Sequence, residues 1–256
     1  MALLRIDQVS KTFGGLTALS KVGLEIHKGQ IRGLIGPNGS GKTTLFNVIS
    51  GIYPSSDGRI AFEAQDITRK SAAEVGRLGI ARTFQDIQLF YDMTVMENTM
   101  VGRHRLTKSG VLGAFLRPKW VKEEEKLILE KARESLSFVG LEAYEGELAR
   151  NMSYGHQRLL EIARALAGEP SLLLLDEPAA GMNQAERVDL MHHISKIRDK
   201  GITVLLVEHN MKMVMDICEM ITVLNYGQVI AEGTPREVQA NEKVIEAYLG
   251  KARRPC

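Results

Sequence analysis

The eight residues Gly36–Thr43, with the sequence GPNGSGKT, constrain the fold of this chain more than any other stretch. They match the pattern G-x-x-x-x-G-K-[S/T], whose glycines let backbone N–H groups surround phosphate oxygens. The pattern needs a strand before it and a helix after it, and here the apolar run IRGLI precedes it and TTLFNVISG follows. The stretch therefore predicts a phosphate-binding loop in a βα unit. An unliganded glycine-rich turn is the alternative, and eight residues in register with these flanks disfavour it.

The predicted phosphate site combines main-chain and side-chain groups. The candidate phosphate-binding residues are Gly36, Pro37, Asn38, Gly39, Ser40, Gly41, Lys42, Thr43 and Thr44. Lys42 can reach the β- and γ-phosphates of a nucleotide, and the Thr43 hydroxyl can bind Mg²⁺. These assignments make a nucleotide phosphate and Mg²⁺ the expected ligands.

The run LLLLDEP places two acidic residues at the end of an apolar strand. Ligand-binding groups of parallel α/β sheets lie at the carboxyl ends of the strands. Asp176 can therefore hold Mg²⁺ through water, and Glu177 can polarise an attacking water. An acidic pair that only ends a strand is common, but the phosphate loop in the same chain favours the catalytic interpretation.

The order of apolar runs predicts an α/β fold. The runs LLRID and VGLEI, on either side of FGG, predict an antiparallel β patch near the N-terminus. LLLL and TVLLV are nearly continuous apolar runs, as in strands buried on both faces of a parallel sheet. Positions 88–153 are helical in composition, and in the segment 119–141 the apolar face of the helix is predicted to be Leu127, Leu129, Ala132, Leu136 and Val139. We therefore expect a nucleotide-binding core formed by residues 1–87 and 154–256, interrupted by a helical subdomain at 88–153.

Charge and composition exclude some classes of partner. A formal net charge of +2 and few aromatic residues disfavour nucleic acid as the main partner. The two cysteines, Cys218 and Cys256, cannot form a disulfide framework, which favours a reducing compartment. The first ten residues lack the pattern of a secretion signal, and no run reaches the roughly 18 apolar residues of a membrane span.

A third motif, NMSYGHQR at 151–158, lies before the acidic strand. Ser153 is a predicted N-cap, and the helix after it is expected to run from about 155 to 167. Together with the phosphate loop and LLLLDEP, this stretch resembles the signature of the nucleotide-binding subunits of ABC transporters. The resemblance covers essentially the whole chain and implies a RecA-like P-loop NTPase core of mixed and parallel strands, with the antiparallel β patch and a helical ABC-specific lobe.

The resemblance also implies how the motifs work. In ABC transporters two ATPase subunits close head to tail, and each ATP lies between the phosphate loop of one subunit and the signature of the other. Ser153 and Gly155 would then face the γ-phosphate of the partner's ATP. Phe13 is similar to the aromatic residue that stacks on adenine. Gln85 matches the glutamine that contacts the metal and the attacking water, and His209 matches the histidine that holds the γ-phosphate and aligns Glu177.

Several positions depart from the common family pattern. Tyr154 replaces a glycine of the signature, His156 replaces a glutamine or glutamate, and Asn183 replaces a frequent aspartate. These departures, with DEPAAGMN, EHNM and the ending AEGTPREV, resemble the ATPase subunit of branched-chain amino acid importers. The ATPase of lipopolysaccharide transport is the nearest alternative within the family, although it usually lacks so long an insert as the segment at 102–122.

The expected function is ATP hydrolysis that powers amino acid import. The resemblance implies a second ATPase subunit, usually a different chain, a separate transmembrane permease and, indirectly, a periplasmic solute-binding protein. It also implies a peripheral position on the cytoplasmic face of the cell membrane. Two other classes stay open from the residues: a soluble ABC-type ATPase acting on nucleic acid or ribosomes, and a P-loop kinase.

Overall fold

The structure is a computed structural model that describes residues 2–107 and 118–249. Residues 108–117 of the basic, glycine-containing insert at 102–122 therefore lie outside the described residues, as does Cys256. Within the described ranges, no helix combines the length and the apolar character that a bilayer crossing needs.

The N-terminal strands form the predicted antiparallel patch. Strands β1 (Ala2–Phe13) and β2 (Leu16–His27) make a long hairpin. β4 (Asp57–Phe62) pairs antiparallel with β1, and β5 (Gln65–Asp66) pairs with β4, giving the order β2-β1-β4-β5. The prediction of an antiparallel patch is confirmed.

A second sheet of six strands includes the strands that end at the phosphate loop, at the acidic pair and just before His209. Its order is β10-β9-β3-β8-β7-β6, and every neighbouring pair is parallel except the β9-β10 hairpin. The strands are β3 (Ile31–Ile35), β6 (Ile80–Arg82), β7 (Leu172–Asp176), β8 (Thr203–Val207), β9 (Met220–Asn225) and β10 (Gln228–Gly233). All residues of β3, β7 and β8 are buried, as the continuous apolar runs predicted.

The two faces of this sheet pack into two hydrophobic clusters. Leu172 and Leu174 point to the cluster that includes the N-terminal sheet, whereas Leu173 and Leu175 point to the cluster that includes the later helices. This alternation follows from the twofold periodicity of a strand. The chain thus forms an α/β fold with layers on both sides of one mostly parallel sheet.

Helices cover both faces of the sheet. They are α1 (Lys42–Ile49), α2 (Ala72–Arg77), α3 (Val95–Arg103), α4 (Lys119–Phe138), α5 (Tyr154–Ala167), α6 (Gln184–Asp199), α7 (Met211–Ile217), α8 (Pro235–Gln239) and α9 (Glu242–Leu249). Single 3₁₀ turns occur at His104–Leu106, Glu142–Tyr144 and Ala149–Asn151. Several helices begin with a capping box, such as the one that Thr94 and Glu97 form at the N-terminus of α3.

The predicted apolar face of α4 is partly wrong. Ala132 and Leu136 are buried, and Val139 is buried just after the helix. Leu127, however, is 42% exposed, whereas Val121 is buried. The periodicity is correct only in the second half of α4, where it packs against α3 and α5. The subdomain boundaries at 88 and 153 stay a prediction.

Candidate nucleotide site

The phosphate loop turns sharply between β3 and α1. Gly36, Gly39 and Gly41 all have positive φ angles, of +154°, +77° and +106°. A Cβ atom at Gly36 would lie 2.1 Å from the carbonyl oxygen of Leu224, so only glycine fits there. The glycines of the motif thus allow a backbone turn that side chains would prevent.

Lys42 folds back over the loop at the first residue of α1. Its Nζ donates hydrogen bonds to the carbonyl oxygens of Gly36, at 2.8 Å, and Pro37, at 3.0 Å. Burial lowers the pKa of Lys42, and the charges of Glu177 and Asp176 oppose that shift. The ammonium is therefore held inside the loop, near both acidic residues.

The loop residues fit a nucleotide phosphate and its Mg²⁺. A cavity of about 350 Å³ is lined by residues 39–44, by Leu16, Thr17 and Ala18 of β2, and by Tyr226. The Ser40 hydroxyl is buried without a partner among the described residues. Hydroxyls, an ammonium and a helix N-terminus suit phosphate oxygens, and a threonine hydroxyl with an aspartate suits Mg²⁺.

Three predicted catalytic residues meet at the ends of β7 and β8. Glu177 has a φ of +48°, rare for a residue with a side chain, and its N–H donates to the Val207 carbonyl at 2.9 Å. One of its carboxylate oxygens accepts from Gln85 Nε2 at 3.1 Å, and the other lies 2.9 Å from His209 Nε2. Because a carboxylate only accepts, His209 Nε2 is the donor of this bond. Gln85 and His209 therefore fix both oxygens of Glu177.

A residue that sequence reasoning missed supports this group. Glu208 is 4% exposed, and its carboxylate accepts from the backbone N–H of Ala179 at 2.8 Å and of His209 at 3.0 Å. Glu208 thus joins the loop after Glu177 to the loop that carries His209. A charged residue directly after a buried strand was the available signal.

Asp176 is nearly inaccessible at the end of β7. Its carboxylate forms an ion pair with Arg82, the last residue of the neighbouring strand β6. Sequence reasoning assigned no role to Arg82. Its proximity to Asp176 follows from the pairing of β6 with β7, which the sequence did not reveal.

The signature residues form a second, separate surface. Ser153 caps α5 and accepts from the His156 N–H at 3.3 Å, as predicted. Ser153 and Gly155 line a cavity of about 350 Å³ that shares no lining residue with the cavity at the phosphate loop. Within one chain, the structure does not combine the signature and the phosphate loop into one site.

Gly155 also has a reason within the chain that sequence reasoning missed. A Cβ atom at this position would lie 2.9 Å from Oε1 of Glu186. Glu186 is the third residue of α6 and forms a capping box with Asn183. The asparagine that departs from the family pattern therefore serves as an N-cap, and Gly155 makes room for its partner.

Tyr154 connects the signature to two other loops. Its ring packs on Gly181, and its hydroxyl accepts from Arg158 Nη2 at 3.1 Å. Arg158 also donates to the carbonyl oxygens of Phe84, at 2.7 Å, and Gln85. The backbone that carries Gln85 is thus held by α5.

Phe13 lies exposed at the end of β1. It is 42% exposed and meets the ring of Tyr53 edge-on, with centroids 5.4 Å apart. Lys11 Nζ lies 4.8 Å from its centroid. Stacking of adenine on this ring stays a prediction.

Sequence comparisons identify the family. Residues 19–180 match the family model described as ABC transporter, and residues 228–253 match the model described as branched-chain amino acid ATP-binding cassette transporter. The chain is 41% identical over 251 residues to the high-affinity branched-chain amino acid transport ATP-binding protein LivG of Salmonella typhimurium, with 98% of each chain covered. The chain belongs to the ABC transporter family. It is an ATP-binding subunit with ATPase function, of the branched-chain amino acid type.

Further relatives and solved structures agree with this assignment. BraF of Pseudomonas aeruginosa, another high-affinity branched-chain amino acid transport ATP-binding protein, is 40% identical with 98% of each chain covered. A nucleotide-free ATP-binding cassette from an ABC transporter superposes with a TM-score of 0.85 at 38% identity, covering 98% of this chain and all of that one. A dimeric bacterial ABC transporter cassette gives a TM-score of 0.77 at 26% identity, covering 91% and 99%. These relatives do not favour the lipopolysaccharide-transport alternative.

Proposed function

We propose that this subunit hydrolyses Mg-ATP in a closed head-to-tail pair of ATPase subunits and so powers the import of branched-chain amino acids. The observation that carries the proposal is the Glu177 carboxylate, held between Gln85 and His209 beside the phosphate loop. An acidic pair that only ended a strand would not need Gln85 and His209 to hold both carboxylate oxygens of Glu177.

Each residue has a defined part in the proposed reaction. Lys42 exchanges its bonds to the Gly36 and Pro37 carbonyls for bonds to the β- and γ-phosphates. Glu177 acts as the general base that orients and polarises the attacking water, and His209 and Gln85 hold its carboxylate in place. Thr43, Gln85 and Asp176 would hold Mg²⁺, which supplies positive charge against the charge that develops on the transferring phosphoryl group.

The signature acts on the ATP of the partner subunit. Ser153 and the N-terminus of α5 present hydrogen-bond donors and a positive dipole end, which suit a γ-phosphate. The separation of this surface from the phosphate loop within one chain supports completion of the site by a second chain, and the dimeric cassette with a similar fold supports it as well. The partner is an ATPase subunit of the same family, either a copy of this chain or a different one.

The helical elements offer a surface to the permease. A largely apolar groove of about 420 Å³ lies between α3 and α4 and is lined by Met93, Glu97, Met100, Val101, His104 and Ile128. An apolar groove rimmed by polar groups is typical of a protein-binding site. We propose that a transmembrane permease docks on this side, so the subunit works on the cytoplasmic face of the membrane. A periplasmic solute-binding protein would act only through the permease.

Replacement of Glu177 tests the hydrolytic role. E177Q keeps the shape of the side chain but removes the base, so kcat should fall about 10²–10⁴-fold. ATP affinity should stay within about threefold, because the binding groups of the loop remain. E63Q, which alters an exposed glutamate paired with Lys28, is the matched control and should leave kcat unchanged. Rapid hydrolysis by E177Q would refute the assignment.

Uptake measurements test the transported substrate. Loss of this subunit should abolish import of radiolabelled leucine, isoleucine and valine, and the E177Q chain should not restore it. Import of an unrelated amino acid such as histidine serves as the control. Normal leucine import without the subunit would contradict the proposed substrate class.

A further inference from the structure

A buried arginine is paired with the acidic residue proposed to hold Mg²⁺. Nη2 of Arg82 lies 2.8 Å from Oδ2 of Asp176, and the two side chains are only 6% and 3% exposed. In such an environment a carboxylate is costly unless it is paired. Arg82 is therefore part of what permits a charged Asp176 at the end of β7.

Four other contacts fix the position of the Arg82 guanidinium. Nη1 donates to Asn47 Oδ1 at 2.7 Å and to Ser50 Oγ at 3.1 Å, in the last turn of α1 and at its C-cap. The guanidinium carbon lies 5.5 Å from the ring centroid of Phe46 and 4.9 Å from that of Phe84. The planar fork of an arginine can make these contacts at once, whereas a lysine cannot.

These contacts connect three parts of the nucleotide site. Asn47 and Ser50 belong to the helix that begins at Lys42, Asp176 ends the acidic strand, and Phe84 directly precedes Gln85. The guanidinium donates to Oδ2 of Asp176, so Oδ1 would be the oxygen available to Mg²⁺ or its water. Groups that hydrogen-bond a metal-binding carboxylate set its direction and strongly affect metal affinity.

We propose that Arg82 is a positioning residue that orients the Asp176 carboxylate for Mg²⁺ and holds it in register with the helix of the phosphate loop. This inference rests on the proposed function, because it needs a bound Mg-nucleotide. In this proposal Arg82 acts through Asp176 and does not enter the reaction itself. Arg82 therefore affects the Mg²⁺-dependent part of nucleotide affinity and has little effect on nucleotide affinity in the absence of Mg²⁺.

The metal dependence of nucleotide binding tests the proposal without measuring turnover. The affinity of the purified full chain for AMP-PNP, a non-hydrolysable ATP analogue, is measured by calorimetry with saturating Mg²⁺ and again with EDTA. In R82M, which keeps an unbranched apolar side chain between the two phenylalanines, the ratio of these affinities should fall about tenfold or more relative to wild type. The affinity in EDTA should stay within about twofold of wild type.

Two further variants keep the test decisive. R82K keeps the charge but loses the planar guanidinium, so its ratio of AMP-PNP affinities with Mg²⁺ and with EDTA should lie between those of wild type and R82M. R82K also serves as the test variant if R82M does not fold. R103M breaks a partly buried ion pair with Glu169, away from the nucleotide site, and its ratio should equal that of wild type. If the affinity ratio of both R82M and R82K equalled or exceeded that of wild type, the role of Arg82 would be overturned. A wild-type chain that binds no AMP-PNP would instead refute the proposed function.

Discussion

At the residue scale, Lys42 shows how the phosphate loop holds a phosphate-binding group in place. Its ammonium is held by two carbonyl oxygens that a phosphate can replace. Hydrogen bonds of charged groups contribute about 1.5–3 kcal/mol, so K42A should weaken ATP binding by about 10–100-fold. K28A removes an exposed lysine and should leave the affinity unchanged. Undiminished ATP affinity of K42A, measured by calorimetry, would contradict the assignment of the phosphate loop.

Cys218 illustrates a residue that acts only by packing. Burial raises its pKa to about 12, and its Sγ would lie 3.1 Å from a Cβ at Gly33 on β3. At pH 8 such a thiol is ionised only on the order of once in ten thousand molecules, and the thiolate is the reactive form. In a C256S chain, native protein should therefore not react with DTNB, whereas protein in guanidinium should release one equivalent. Rapid reaction of the native variant would show that Cys218 is accessible.

Some residues of the site could be predicted from sequence because their motif carries its own geometry. The phosphate loop is recognised by the spacing of its own residues, and the Ser153 cap acts on His156 three positions on, so local spacing was sufficient. Arg82 and Glu208 were missed because their partners, Asp176 and Ala179, are distant in sequence and meet them only through strand pairing and strand-end loops. Periodicity carries no information about such contacts.

At the element scale, α5 holds the segment that carries Gln85. Arg158 and Glu161, with side chains 3% and 1% exposed, form an ion pair at 3.0 Å on this helix. Glu161 also accepts from the Gln88 N–H at 2.8 Å, and Arg158 donates to the Phe84 carbonyl. The helix that begins at the signature thus holds the backbone on both sides of Gln85.

A double-mutant cycle measures the strength of this connection. R158M removes the nearest cation from buried Glu161 and leaves Arg164, at 3.8 Å, as its remaining ion-pair partner, so its charge is largely uncompensated and the free energy of unfolding in urea should fall by up to about 3–5 kcal/mol. R158M/E161Q should lose less than the sum of the single variants, because the uncompensated charge is gone. The exposed pair of Arg133 and Glu145 is the control, with a coupling of about 1 kcal/mol or less. Additive losses for the buried pair would show that the ion pair contributes no coupling.

The strands of the central sheet were more predictable than helix α4. β7 and β8 are buried on both faces, so every position is apolar except Asp176 at the end of β7 and Thr203 at the start of β8. Their assignment as strands therefore does not depend on which face each residue points to. Helix α4 buries Ala132, Ser135 and Leu136 in its second half but only Val121 in its first half. Leu127 fits the helical period but is 42% exposed in the part of the chain that the structure describes, which is why the predicted face was partly wrong.

At the scale of the whole molecule, the phosphate loop and the signature, which we propose as two halves of a nucleotide site, lie apart in one chain. The phosphate loop with Glu177 lies at the carboxyl ends of the parallel strands, and the signature lies at the start of α5 with a cavity of its own. The contacts of Arg158 join the two halves inside one chain. In the proposed dimer, these contacts would link the signature to the backbone of Gln85.

Complementation between two inactive variants tests this arrangement. K42A loses its own phosphate site but keeps an intact signature, whereas S153R keeps the phosphate site and blocks the signature with a bulky charge. Either variant alone should be nearly inactive in ATP hydrolysis. Their equimolar mixture should recover up to about a quarter of the wild-type rate, because random pairing makes about half of the dimers mixed and each mixed dimer has one complete site of two. Wild-type chain at the same total concentration is the control, and its rate per chain should rise with concentration. A mixture no more active than the separate variants, with an active wild type, would show that the two half-sites are not completed between copies of this chain.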